Sequence, residues 1–131
     1  MASEMAGWAD TVPSGEERKP SSRPVDLVHL SRYTLGERAL EREVLELFCT
    51  QSVVYLERLR EAQSDKDWKD AAHSLKGSAS AIGAWRAAEA AQRAEALSGD
   101  TLVAARDLRL RDIESTLREA ETYIGALLKD R

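Results

Sequence analysis

All three prolines of this 131-residue chain fall at Pro13, Pro20 and Pro24, and none follows between Val25 and Arg131. A proline inside a helix removes a backbone donor and clashes with the preceding turn, so a long proline-free stretch leaves helices free to run. From Val25 onward Ala, Leu, Glu and Arg dominate, which favours helix and offers little to a sheet. Residues 1–24 are different: rich in Ser, Pro, Gly and charge, they hold too little apolar surface to offset the entropy of ordering. The sequence therefore predicts a flexible, disordered tail over 1–24 and one helical domain over 25–131, with Trp8 the tail's one large aromatic anomaly.

Punctuation divides the domain. Asp26 caps a short first helix reaching about Tyr33, which Thr34 and Gly36 break. A second helix spans about Glu37 to Ala62, with Leu40, Val44, Leu47, Phe48, Tyr55 and Leu59 recurring at three- and four-residue spacing. Ser64 and Asp65 offer caps for a third, which runs to about Ile82 and stops at Gly83. An alanine-rich fourth helix covers about Ala84 to Leu97. Gly99 and Asp100 then end it and cap a fifth from about Thr101 to Lys129, seamed by Leu110, Ile113, Leu117, Ala120, Ile124 and Leu127. Amphipathic helices joined by short turns cannot stand alone in water. The expected fold is all-α: an antiparallel four-helix bundle with a short extra N-terminal helix.

Composition narrows function. With 19 basic and 23 acidic side chains the formal charge is −4, which disfavours binding to nucleic-acid phosphates. No apolar run reaches membrane-spanning length, and the start lacks the basic and apolar regions of a secretory signal. A lone cysteine, Cys49, excludes an internal disulfide framework. These features predict a soluble cytoplasmic domain. Its small size suggests a monomer.

The third helix carries the chemistry. With about 100° per residue, Trp68, Ala71, Ala72, Leu75, Ala79 and Ile82 point one way, while His73 and Gly77 fall roughly 140° and 180° from Trp68. The histidine is therefore expected in water, with Lys69, Lys76 and Ser80 flanking it. Gly77 costs about 1 kcal/mol relative to alanine in a helix interior, without a packing reason on that face. One reading is tolerated weakness; the other is that a missing side chain lets another backbone approach the imidazole. His29 and Cys49 share no metal-ligand spacing with His73, and Ser74, Ser78 and Ser80 have no triad around them. An imidazole can itself be a nucleophile if one nitrogen is unprotonated and aimed outward. Lys76, one turn on, is spaced to meet an anionic group on that ring, or is a solvated helix lysine.

AAHSLKGSASAIGAW, from Ala71 to Trp85, resembles the signature of histidine-containing phosphotransfer (HPt) domains of bacterial phosphorelays. His73, Leu75, Lys76, Gly77, Ser78, Ala79, Ile82 and Gly83 stand in register with that motif. The resemblance implies a helical bundle whose exposed His73 accepts a phosphoryl group at Nε2 from a receiver-domain aspartate or a sensor histidine kinase, then passes it to another response-regulator receiver. It implies that Lys76 assists the phosphoryl group and that Gly77 admits the receiver. A polar side chain 22 positions after the histidine, here Glu95 within Gln92–Glu95, is implied as the ring's hydrogen-bond partner; otherwise Glu95 is an exposed helix carboxylate. No cofactor is implied on this chain, with Mg²⁺ expected on the partner receiver domain. Ala87 and Ala94 depart from the family, which commonly has larger apolar residues there, and leave the fourth helix's packing angle open.

With no P-loop or Gly-rich nucleotide motif, the chain is expected to be a phosphorelay intermediate, not an ATP-dependent kinase. Trp85 is either part of an apolar docking rim or a partly buried core residue. The competing functions are a histidine-kinase dimerisation and phosphotransfer region, a helical adaptor without histidine chemistry, and a degenerate HPt domain that binds receivers without transfer. Ser74 stands where the kinase motif usually carries an acidic residue directly after its histidine.

Overall fold

The computed structural model describes residues 23–130, so the expected tail up to Ser22, with Trp8, lies outside the described residues. Among the described residues there are five helices and no strand: α1 Leu27–Thr34, α2 Arg38–Glu61, α3 Asp65–Ala81, α4 Trp85–Glu95 and α5 Gly99–Lys129. Helix α2 packs on α3, α3 on α4, α4 on α5 and α5 back on α2, while α1 lies against α2. No helix among the described residues is long and apolar enough to cross a membrane.

Local chemistry sets the boundaries. Ser64 caps α3 by accepting from Asp67 N at 3.1 Å. At the other end Ala84 N donates to Ala79 O (2.9 Å) and Gly83 N to Ser80 O (3.1 Å), a Schellman closure with Gly83 at φ +77°. A Cβ on Gly83 would stand 2.7 Å from Asp26 Cβ and 2.9 Å from Asp26 O. Glycine is needed there for both its φ and its bareness. Helix α5 starts earlier than its sequence suggests. Ser98, not Asp100, is the N-cap, with Ser98 N donating to Thr101 Oγ1 at 3.0 Å. The earlier start is supported from outside the helix, because Gly99 N donates to Asp65 Oδ2 at 2.8 Å.

The core is built from Leu30, Leu45, Phe48, Leu59, Trp68, Leu75, Ile82, Ile113 and Ile124, filled in by alanines from α3 and α4. All six residues on the apolar side of α3, from Trp68 to Ile82, are buried. In α2 the buried line runs through Glu41, Leu45, Phe48, Ser52 and Leu59. Leu47 is 48% exposed: it precedes Phe48, and neighbouring helix positions diverge by about 100°.

Two buried polar groups on that line have partners. Glu41 Oε2 accepts from Thr34 Oγ1 at 3.3 Å, and Ser52 Oγ donates to Cys49 O at 3.1 Å and lies 3.3 Å from Glu121 Oε2. Near the start of α2, Arg42 Nη2 donates to Leu128 O at 2.8 Å; near its end, Leu59 and Arg60 carbonyls accept from Arg106. The start of α2 thus lies beside the end of α5, and its end beside the first turns of α5.

Candidate functional site

His73 sits midway along α3 with Leu75 and Ala72 turned into the core, and its side chain is 64% exposed. Its Nδ1 lies 2.9 Å from Oε2 of Glu95, the last residue of α4. A carboxylate only accepts, so the contact calls for the proton on Nδ1, and in the neutral ring that leaves the lone pair on Nε2. The pair spans the α3–α4 contact and makes an outward imidazole with one nitrogen occupied.

The other candidate residues are placed unequally around it. Lys76 and Gly77 are half-buried, one turn beyond the histidine, and Lys69 is exposed one turn before it. Neither lysine has an ion pair or hydrogen bond among the described residues, whereas Lys66 donates to Asp70 at 2.6 Å. That hydrogen bond, with the Asp70 charge, raises the Lys66 pKa. Lys69 and Lys76 are thus the α3 lysines left with unspent charge beside the ring. Gln92 is exposed and its side chain makes no hydrogen bond among the described residues, whereas Glu95 meets the imidazole.

Beneath the pair, the indole Nε1 of Trp68 donates to Ala94 O at 2.6 Å, and the Arg106 guanidinium lies 5.1 Å from the Trp68 ring centroid. The alanines at 87 and 94 are buried, so small fourth-helix side chains bring α4 close to α3. The sequence gives Trp68 away as a core residue but not as a donor, because its acceptor is a carbonyl 26 positions later.

At the far end of α3, Trp85 is half-buried and its Nε1 donates to Asp26 Oδ2 at 3.1 Å. Asp26 Oδ1 accepts from His29 N at 3.1 Å, and Asp26 N donates to Gly83 O at 3.0 Å. Burial pushes the Asp26 carboxyl up, but the Trp85 indole, the His29 and Val28 backbone donors and the His29 charge outweigh it and hold the pKa below the ordinary carboxylate value. Cys49 is half-buried, and burial, with the Glu121 and Glu46 charges, pushes its thiol up. Among the described residues no group of three or more His, Cys, Asp or Glu side chains is placed to hold a metal ion.

An exposed imidazole held at one nitrogen, with unpaired lysines one turn before and one turn after it, can take up and give back an anionic electrophile. Compared with known families, residues 43–129 match the model of the Hpt domain, a range that includes His73, Lys76, Gly77 and Glu95. No curated protein and no solved structure gives a significant match. Since the family model covers well over half of the sequence, the chain belongs to the Hpt domain family.

Proposed function

We propose that this protein relays a phosphoryl group through His73, between a sensor histidine kinase or receiver aspartate on one side and a response-regulator receiver on the other. Hpt domains serve histidine phosphotransfer in two-component phosphorelays and interact there with receivers and kinases. The observation that supports the assignment to this residue is the His73 Nδ1–Glu95 Oε2 contact at 2.9 Å on a side chain that is 64% exposed.

In the forward step the Nε2 lone pair of His73 attacks the phosphorus of the receiver's aspartyl phosphate. The N–P bond forms as the P–O bond to the aspartate breaks, and the aspartate leaves as carboxylate. Glu95 holds the Nδ1 proton and offsets the positive charge that grows on the ring. Lys76 meets the oxygens of the transferring group, and Gly77 leaves room for the receiver's backbone. The Mg²⁺ belongs to the receiver, and phosphoryl transfer needs mainly positioning and charge neutralisation. The chain is a carrier in this scheme. It has no ATP chemistry of its own, and the nucleotide-motif-free sequence supports that.

The architecture in this reading is an antiparallel four-helix bundle of α2–α5 with α1 as an added N-terminal helix, in a domain over 25–131 behind a tail over 1–24. Short connections and the end-to-end meeting of α2 with α5 support it. A cytoplasmic monomer completes the proposal.

The test mixes the purified protein with phosphorylated receivers and assays for acid-labile, base-stable phosphate on it. Labelling of the unaltered chain is the expected result. No labelling from any receiver, with helicity and melting intact, overturns the relay and favours a helical adaptor.

A further inference from the structure

We propose that Trp68 is a positioning residue for the His73–Glu95 pair: through its indole N–H it sets the peptide that aims the Glu95 carboxylate, and so helps fix which imidazole nitrogen carries the proton. The consequence for transfer rests on the relay reading, but the consequence for the tautomer does not.

The last carbonyls of a helix have no intrahelical donor, so a helix end frays unless something outside it supplies one. Helix α4 ends at Glu95, and Ala94 O is one of those orphans. It receives Leu97 N at 3.1 Å in a tightened last turn, and Trp68 Nε1 at 2.6 Å from the neighbouring helix. The carbonyl that Trp68 holds belongs to the peptide joining Ala94 to Glu95. Fixing that plane fixes the direction in which Glu95 leaves the backbone.

The donor is itself immobilised. Trp68 is fully buried in the first turn of α3. The Arg106 guanidinium over its ring is anchored to Leu59 O at 2.9 Å and Arg60 O at 3.0 Å. Ala91 and Ala94, with no exposed surface, let the bulky ring lie against α4. Two successive residues of α4 are therefore tied to α3, Ala94 by Trp68 and Glu95 by His73. A phenylalanine at 68 would fill most of the same space and leave the carbonyl without its indole donor.

The test reads the ring, not only the rate. In intact chains carrying ¹⁵N-histidine, the His73 ring shifts report the ratio of Nδ1–H to Nε2–H tautomers. Trp68→Phe, and replacement of Trp68 by its isostere β-(3-benzothienyl)alanine, are each expected to move that ratio about fivefold toward Nε2–H, the factor that loss of one ordinary hydrogen bond carries. Phosphate uptake from a receiver falls by a similar factor.

An unchanged ratio in a folded isostere variant overturns the proposal and reduces Trp68 to a core residue. Rapid solvent exchange of the Trp68 indole proton in the unaltered protein overturns it too, and that measurement needs no variant. Failure of the unaltered protein to take up phosphate, with the tautomer shift present, sinks the relay and leaves the positioning role standing.

Discussion

The structure describes two helical histidines, each with a carboxylate at hand, and they could hardly be treated more differently. His29 in α1 is buried, 6% exposed, with its ring edge-on to Trp85 at 4.8 Å between centroids. Its nearby carboxylate, Asp26, is engaged with the His29 backbone N and the Trp85 indole. The carboxylate beside His73, Glu95, meets the ring nitrogen itself, and that side chain is 64% exposed. On the proposed relay, the difference that matters is that Glu95 meets a ring nitrogen of an exposed histidine, whereas Asp26 serves a backbone amide and an indole beside a buried one.

The comparison breaks most sharply under substitution. His73→Gln is expected to abolish phosphate uptake from receivers while leaving melting within a few degrees, since the side chain is 64% exposed. His29→Gln should leave uptake intact and lower stability by about 1–2 kcal/mol in urea unfolding, as for other changes at buried, well-packed positions. Uptake by a His73→Gln protein would move the chemistry to another residue.

Gly83→Ala attacks the His29 corner from the other side. The new Cβ meets the backbone and Cβ of Asp26, which cannot swing away as a flexible side-chain tip would, and φ +77° disfavours any L side chain. About 3 kcal/mol should be lost in urea unfolding. Phosphate uptake by the remaining folded molecules should be unchanged, because the substitution lies ten residues beyond His73. Equal loss of uptake would show that the two ends of α3 are coupled.

Glu95→Gln is milder. An amide can still accept from Nδ1–H through its oxygen, but it brings no charge and can turn its NH₂ to the ring instead. Uptake should fall about tenfold, the scale of other groups that orient a reacting side chain, with little change in melting. A variant as fast as the unaltered protein would make the 2.9 Å contact a surface hydrogen bond of no consequence.

Much of this was readable in the residues, and the exceptions share a cause. Helical periodicity places Trp68, Ala71, Ala72, Leu75, Ala79 and Ile82 inside, and the same wheel puts His73 outside. Five helices and their breakpoints at Ser64 and Gly83 follow from caps a few residues away. What sequence could not supply are contacts made at long range. Glu41 and Ser52 are polar residues on the buried line of α2, satisfied by Thr34 and, 69 positions on, Glu121. Ser98 replaces Asp100 as the cap of α5 through its own pairing with Thr101, and Asp65, on α3, adds an acceptor for Gly99 N that no local pattern shows. The spacing to Glu95 came with the family motif, but its rotation toward the ring depends on how α4 docks, and that includes a tryptophan donor no local pattern reveals.

The smallest effect separates the two corners by pH. Asp26 has a lowered pKa in the fold, so folding favours its ionised form. A depressed carboxylate lends stability that is fully present above its unfolded pKa and is lost as pH falls through the folded one. Asp26→Asn removes that charge while keeping a side chain able to cap α1. At about pH 7 the unaltered protein should therefore exceed Asp26→Asn in unfolding free energy, and the gap should close as pH falls below the ordinary carboxylate range, near 3.9. Taking the difference between two proteins cancels the other carboxylates, which titrate in both. Part of the gap comes from the positive charge of His29, so it should narrow in a His29→Gln background at a pH where that ring is protonated. A gap that stays constant down to about pH 3 would mean that Trp85 and His29 are held by packing and the uncharged hydrogen bonds alone.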